Sequence, residues 1–330
     1  KPSPILHLSI ILLSKAHFNP PNYPNMIAII DIGTNTFHLL IINPAAANPY
    51  QPIYRQKMYV RLAEGGQSHI IPAAFERGIQ AMTAFQHTIA QYPIQQIHAL
   101  ATEGVRRATN GSDFIQAVKQ QTNITINTIS GDQEAEYIYY GIKQAVPLDQ
   151  QTVLMMDIGG GSVEFIFGND KRIFWQQSFP IGASRLYNQF QQTDPLTPQL
   201  LNALQQHIKT SLVPLWQAYE LYPTDTLIGS SGTFDSLTDM SLARNGQQKK
   251  AQQTYYEISM PFFNEITHTL LNTTLEERLQ IKGMEAQRAD MMPAGIGLVD
   301  TIVQTLPIKR IIQSEYAIKE GVIHQFVFNG

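Results

Sequence analysis

Two short segments of this 330-residue chain carry residue types suited to handling phosphate. Asp31-Ile-Gly33-Thr34-Asn35-Thr36 and Asp157-Ile-Gly159-Gly160-Gly161-Ser162 share one frame, Asp-Ile-Gly-x-x-Ser/Thr, set between two apolar runs and repeated 126 positions apart. A tight turn with Gly or Asn admits φ > 0 and points successive backbone N–H groups into one concavity, which holds an anion. The Ser or Thr hydroxyl adds a donor. An aspartate ahead of the turn repels phosphate directly but can hold a hydrated Mg²⁺ that bridges to it. One such turn alone reads as an ordinary hairpin. Two in matching register read as a duplicated domain, since solenoid repeats recur at about 20–50 residues. Neither turn is a P-loop, because no Gly-Lys-Ser/Thr follows. Nor is the second a dinucleotide fingerprint: Glu164 stands where a third glycine is required, and a strand follows instead of a helix.

Three further segments join these two. They are Ala101-Thr-Glu-Gly-Val-Arg106-Arg107-Ala-Thr-Asn, Ile129-Ser-Gly-Asp-Gln133-Glu134-Ala135 and Gly229-Ser-Ser-Gly232-Thr233. With the paired Asp-Ile-Gly loops, in this order, the chain resembles the exopolyphosphatase and guanosine-pentaphosphate phosphohydrolase (Ppx/GppA) family of the actin, sugar-kinase and chaperone superfamily. The resemblance runs from about Met26 to Gly330. It implies an α/β fold of two duplicated actin-like (ribonuclease H-like) domains, each a mixed β-sheet flanked by helices, with an interdomain cleft where the two loops clamp a phosphate chain. It also implies Mg²⁺-dependent hydrolysis of the terminal phosphate of inorganic polyphosphate, with pppGpp as the alternative substrate.

The resemblance assigns Glu134 to the attacking water and Arg106 to the phosphates. Gly33, Thr34, Asn35 and Thr36 of the first loop, Gly159, Gly160, Gly161 and Ser162 of the second, and Gly232 of the third are the expected phosphate contacts. Asp157 and Glu164 are the expected metal ligands, with Asp31 as a helper. Glu164 lies two residues after Ser162, so on a strand both side chains share a face. His38 occupies the matching place in the first repeat, where a lone histidine reads as a hydrogen-bonded structural residue. Taken alone, Glu134 reads as a carboxylate favoured in the first turn of a helix; Arg107 reads as a solvated surface arginine. Two departures from the family pattern stand out: Gln133 where Glu is usual, and Lys319 where Arg is usual, which keeps the charge but loses the bidentate fork. A kinase of the same superfamily and a non-hydrolytic sensor of alarmone or polyphosphate remain as alternatives. Larger relatives continue into helical domains, so a channel for very long polymer is expected to be shortened or absent.

The positioning elements follow from periodicity. Ile27–Ile32 and Phe37–Ile42 read as a hairpin, with Pro52–Leu62 as a third strand. Pro72–Ala90 has helical spacing. Strands at 97–101 and 124–129 alternate with helices at 113–119 and 133–144. The second half repeats the scheme: strands at 152–156, 163–167 and 173–179, helices near 198–219, 233–242 and 285–306, strands at 226–228 and 310–312, and a last helix at 315–325. Met155 and Met156 read as core. The expected domains are 26–147 and 148–312, with the final helix, within 313–330, packing back on the first. Closure of the cleft by domain rotation is a further expectation.

Composition sets the frame. Lys and Arg number 23 against 26 Asp and Glu, a net charge of −3, so no global field draws in nucleic acid or an anionic membrane. Only 15% of residues are charged, and Gln, Asn and Thr supply surface polarity. With no cysteine there is no disulfide framework, thiolate metal site or cysteine nucleophile, which fits a cytoplasmic enzyme. Residues 1–25 contain an apolar run, Ile5–Leu13, too short to span a bilayer. The expectation is an upstream extension before a fold that begins at Met26, with a secretory signal as the alternative. A homodimer is allowed.

Overall fold

The computed structural model describes residues 25–66 and 68–328; the expectations for residues 1–24 lie outside the described residues. The described residues form two compact units, divided between Ile129 and Ser130.

The first unit runs β1 (Met26–Ile32), β2 (Thr36–Ile42), β3 (Tyr54–Tyr59), α1 (Pro72–Ile89), β4 (Ile94–Ala101), α2 (Glu103–Arg106), α3 (Gly111–Thr122) and β5 (Ile126–Thr128). Its sheet has the order β3-β2-β1-β4-β5. β1 pairs antiparallel with β2 and parallel with β4. That central place explains why β1 reads MIAIIDI with almost no polar alternation, since strands buried on both faces become continuous apolar runs. One face of the sheet, through Ile30, Ile32, Phe37 and Leu39, packs with Ala74, Met82 and Phe85 of α1 and Phe114 of α3.

The second unit begins with α4 (Gly131–Ala145), then β6 (Val153–Ile158), β7 (Val163–Gly168), β8 (Ile173–Phe179), α5 (Ala183–Phe190), α6 (Pro198–Ser211), α7 (Val213–Leu221), β9 (Thr226–Ser230) and α8 (Ser231–Arg244). β10 (Tyr255–Ile258), α9 (Met260–Asn272), α10 (Leu275–Leu279), α11 (Met292–Thr305), β11 (Arg310–Ser314) and α12 (Ile318–Phe328) complete it. The sheet order β8-β7-β6-β9-β11 repeats that of the first unit, with β10 added antiparallel beside β11. Directions match too: β6 is antiparallel to β7 and parallel to β9, as β1 is to β2 and β4. The duplication read from two loops therefore extends to strand order and polarity. Met155 and Met156 are fully buried in β6, as expected.

Three expectations are corrected. The helix expected near 198–219 is two, α6 and α7, because Pro214 cannot donate within a continuous helix and sits in the first turn of the second. The helix expected from 285 starts at Met292, with Pro293 in its first turn; residues 285–291 form turns instead. The compact division falls at 129/130, earlier than the expected 147. Its physical reason is α4, which packs on α12, β7 and β8. The final helix, expected to pack back on the first domain, packs on α4, and both belong to the second unit.

α4 and α12 touch backbone to backbone. A Cβ on Gly321 would overlap the Tyr137 carbonyl, and one on Gly141 the Ala317 carbonyl. Glycine at both crossings is what the packing requires.

Candidate functional site

The two Asp-Ile-Gly loops are held by the same device. In the first unit the chain leaving β3 donates three consecutive N–H groups to the loop. Val60 and Arg61 donate to the Asn35 carbonyl at 2.9 Å each, and Leu62 donates to the Thr34 carbonyl at 2.7 Å. In the second unit the chain leaving β8 does this for the other loop: Gly182 donates to Gly161 O, Ala183 to Gly159 O, and Ser184 and Arg185 to Gly160 O, at 2.9–3.2 Å. A Cβ on Gly182 would lie 2.5 Å from the Gly160 carbonyl, so the approach demands glycine. In a trans peptide the N–H points opposite to the C=O. Tying the carbonyls from behind therefore turns the Asn35 and Thr36 N–H groups, and those of Gly160, Gly161 and Ser162, to the other side. Neither loop uses the left-handed conformation its Gly and Asn residues admit, so the tied carbonyls, and not a positive φ, set its shape.

Two expected phosphate contacts in the first loop have other work. The Gly33 N–H closes the turn on Thr36 O at 3.1 Å. Thr34 is buried, with its hydroxyl packed against Gly104 of α2. The same packing sets α2 against the loop and brings in Arg106. Arg106 donates to the Ile129 carbonyl at 2.6 Å and to Glu103 at 2.8 Å, so its guanidinium is anchored and only 21% exposed. Arg107, at 58% exposure, is the surface arginine expected.

In the second unit the register builds a polar row across four strands: Ser230 of β9 opposite Asp157 of β6, Asp157 opposite Glu164 of β7, and Glu164 opposite Ser178 of β8. Side chains directly opposite share a face. Both Ser230 and Ser231 donate to Asp157 Oδ1, the latter at 2.6 Å, and Ser178 donates to Glu164 Oε1 at 2.6 Å. Glu164 is fully buried and Asp157 nearly so. Burial pushes the Asp157 carboxyl above the usual range, against the serine hydroxyls and the charge of Lys319, which favour ionisation. Two buried carboxylates side by side make a donor set for a hard divalent cation, which takes one or two carboxylates and completes its shell with water and phosphate oxygen. Among the described residues no three acidic or histidine side chains converge on one metal position. Asp31 lies in the first unit, opposite His38.

α4, the helix of Glu134, packs on the two strands at one end of this row. Gly131, the first residue of the helix, sits on Ser178, where a Cβ would meet Ser178 Cβ at 2.5 Å. Glu134 lies three residues on and shares that helix face; it is 7% exposed. Gln133 closes a capping box: Ser130 Oγ accepts from the Gln133 N–H at 3.1 Å, and Gln133 Oε1 accepts from the Ser130 N–H at 3.0 Å. Glutamine performs that task as glutamate does, which accounts for the departure at this position.

Sequence reasoning missed Arg288. It donates to the Gly232 carbonyl at 2.6 Å, lies over the glycine's α-carbon, and pairs with Asp235 and Glu285. The third glycine turn is thus covered by a guanidinium. The segment 285–291 showed no motif, and its function as a turn became visible only with Pro293 marking the start of α11.

Comparisons with known proteins agree with this architecture. An exopolyphosphatase from Cytophaga hutchinsonii, solved as a crystal structure, is 36% identical with a TM-score of 0.89; the match covers 92% of this chain and 98% of that one. A Haemophilus influenzae protein that carries an exopolyphosphatase name is 27% identical over 316 residues, 92% of each chain. The Ppx/GppA enzyme of Aquifex aeolicus, at 24% identity and a TM-score of 0.74 over 91% of this chain and 98% of that one, has the same fold. The sequence profile of the Ppx/GppA phosphatase family matches residues 41–328, and with it the chain belongs to that family.

Proposed function

We propose that this protein is an exopolyphosphatase that removes the terminal phosphate of inorganic polyphosphate, with the 5′-phosphate of pppGpp as the alternative substrate. The carrying observation is the Ser230–Asp157–Glu164–Ser178 row, against whose Ser178 packs the first residue of α4, the helix that contains Glu134. The 36% identical exopolyphosphatase supports the substrate class.

In this reading Asp157 and Glu164 would hold a Mg²⁺, which would supply positive charge for phosphate oxygens. The N–H groups of Gly160, Gly161 and Ser162, and those of Asn35 and Thr36, bind phosphate oxygens. Arg106, paired with Glu103, adds a cation suited to phosphate oxygens. Glu134 orients a water and accepts its proton while the water oxygen bonds to the terminal phosphorus. The bridging oxygen departs with the shortened chain and takes up a proton. Orthophosphate and a polymer one unit shorter are the products.

The test is phosphate release from polyphosphate, pppGpp and ATP, each with Mg²⁺, by wild type and Glu134→Gln. Release from polyphosphate or pppGpp that collapses in the variant supports the hydrolase and names its substrate. Tight binding of all three without release by either protein would replace it with the sensor. Among the described residues no helix is long and apolar enough to cross a membrane.

A further inference from the structure

β9 ends at Ser230 and α8 begins at Ser231, with no residue between them. The chain makes this turn at Ser231, whose φ is +69°. That left-handed conformation is free for glycine and costly for a residue with a Cβ. The surroundings hold the turn in place. A Cβ on Gly229 would strike the Phe234 ring, so α8 folds closely back on its strand. The Gly232 carbonyl accepts from Arg288 Nη1 at 2.6 Å and from Ser236 Oγ at 3.0 Å. Strain of this kind persists where neighbours over-determine the backbone, and it collects where a site needs it.

What the hydroxyl reaches explains the strain. A serine on a sharp strand-to-helix turn has its Oγ pushed forward at the end of the sheet. Ser231 Oγ donates to Asp157 Oδ1 at 2.6 Å, and Ser230 Oγ, from the last residue of β9, donates to the same oxygen. Two hydroxyls thus converge on one of the two carboxylate oxygens. Among the described residues no donor reaches the other, Oδ2. One hydrogen bond leaves a carboxylate able to turn about it; a second, from a different residue, fixes the group. Partners of this sort set the orientation of a ligating carboxylate.

We propose that Ser231 is a positioning residue for a divalent cation in the second unit: its hydroxyl, with that of Ser230, occupies Asp157 Oδ1 and leaves Oδ2 as the oxygen offered to the metal. The left-handed turn is the conformation that places this hydroxyl. Glycine at position 231 would relax the backbone and lose the bond, so the strain and the hydroxyl separate experimentally. This inference rests on the reading that Asp157 and Glu164 hold the cation, and it adds which oxygen of Asp157 does so and what selects it.

The experiment is titration of Mn²⁺, an oxygen-seeking octahedral substitute for Mg²⁺, into the full chain, with free Mn²⁺ read by its electron paramagnetic resonance signal. Wild type, Ser231→Gly, Ser231→Ala and Asp157→Asn are compared, each with a thermal melt in EDTA. Ser231→Gly and Ser231→Ala should both weaken Mn²⁺ about tenfold, the lower end of what an orienting partner of a metal ligand contributes. Both lack the hydroxyl and differ only in the Cβ, so Ser231→Gly should melt above Ser231→Ala. Wild-type Mn²⁺ affinity in Ser231→Gly overturns the proposal, and if Asp157→Asn has lost the metal, the cation reading survives without it. Ser231→Gly melting below Ser231→Ala also overturns it, because the turn would then carry no strain. Mn²⁺ binding unchanged in Asp157→Asn overturns both readings, as does a wild type that binds no Mn²⁺.

Discussion

Asp157 and Glu164 stand directly opposite each other on adjacent strands, and each takes a serine hydroxyl from the strand on its far side. Two neighbouring buried carboxylates repel, so the arrangement is stable only if protons or a cation reduce the charge. A Mg²⁺ bound at this pair, as proposed above, would relieve both the cost of burial and the repulsion.

That relationship has a pH signature. The Asp157 carboxyl is raised by burial, so the folded chain binds this proton more tightly than the unfolded chain does. Stability should therefore fall as pH rises through the window from the ordinary aspartate value, about 4, up to the raised one, and stay lowered above it. In EDTA the melting temperature is expected to show this decline, and the gain on adding Mg²⁺ should grow over the same window. Asp157→Asn should flatten both curves. A Mg²⁺ gain indifferent to pH and to this substitution would place the metal elsewhere.

Glu134→Gln is expected to lower kcat by about 10²–10⁴-fold, the range of a positioned base, with little change in KM or melting temperature. Steady-state kinetics on polyphosphate with a thermal melt decide it. A variant with wild-type kcat would remove Glu134 from the chemistry.

The capping box separates support from catalysis. Gln133→Ala should cost about 1 kcal/mol through loss of one capping partner, whereas Gln133→Glu should be neutral in a denaturant titration. If Gln133→Glu instead raised activity severalfold, the family's usual glutamate would have a role beyond the cap.

Gly321→Ala tests the α4–α12 contact. The new methyl overlaps the Tyr137 carbonyl, and overpacking of this kind costs about 1–3 kcal/mol. Activity and melting temperature should fall together, because the helix that must move is the one carrying Glu134. Retained activity at wild-type melting temperature would show that the helices part without consequence.

Much of this was legible in the sequence, for physical reasons. Asp31 and Asp157 sit in hairpins whose turn chemistry and apolar flanks are local, so their frame could be read directly, and strand order then followed the duplication. What depends on long-range register could not be read. Ser230 and Ser178 donate to the two carboxylates from positions 73 and 14 residues away. The N–H groups that tie the loops come from chain that merely follows a strand, with no motif of its own. Arg288 arrives from a turn that looked helical until Pro293 is given its due as a first-turn residue. Short elements such as α2 and α10 lie below the length at which periodicity speaks.

The Gly141–Gly321 crossing also sets an order of events during synthesis. α4 emerges before any strand of its own unit, yet the helix it packs against, α12, is the last described element to leave the ribosome. Contacts so distant in sequence form late. The nascent chain can therefore shape both Asp-Ile-Gly loops before α4 meets the helix that supports it.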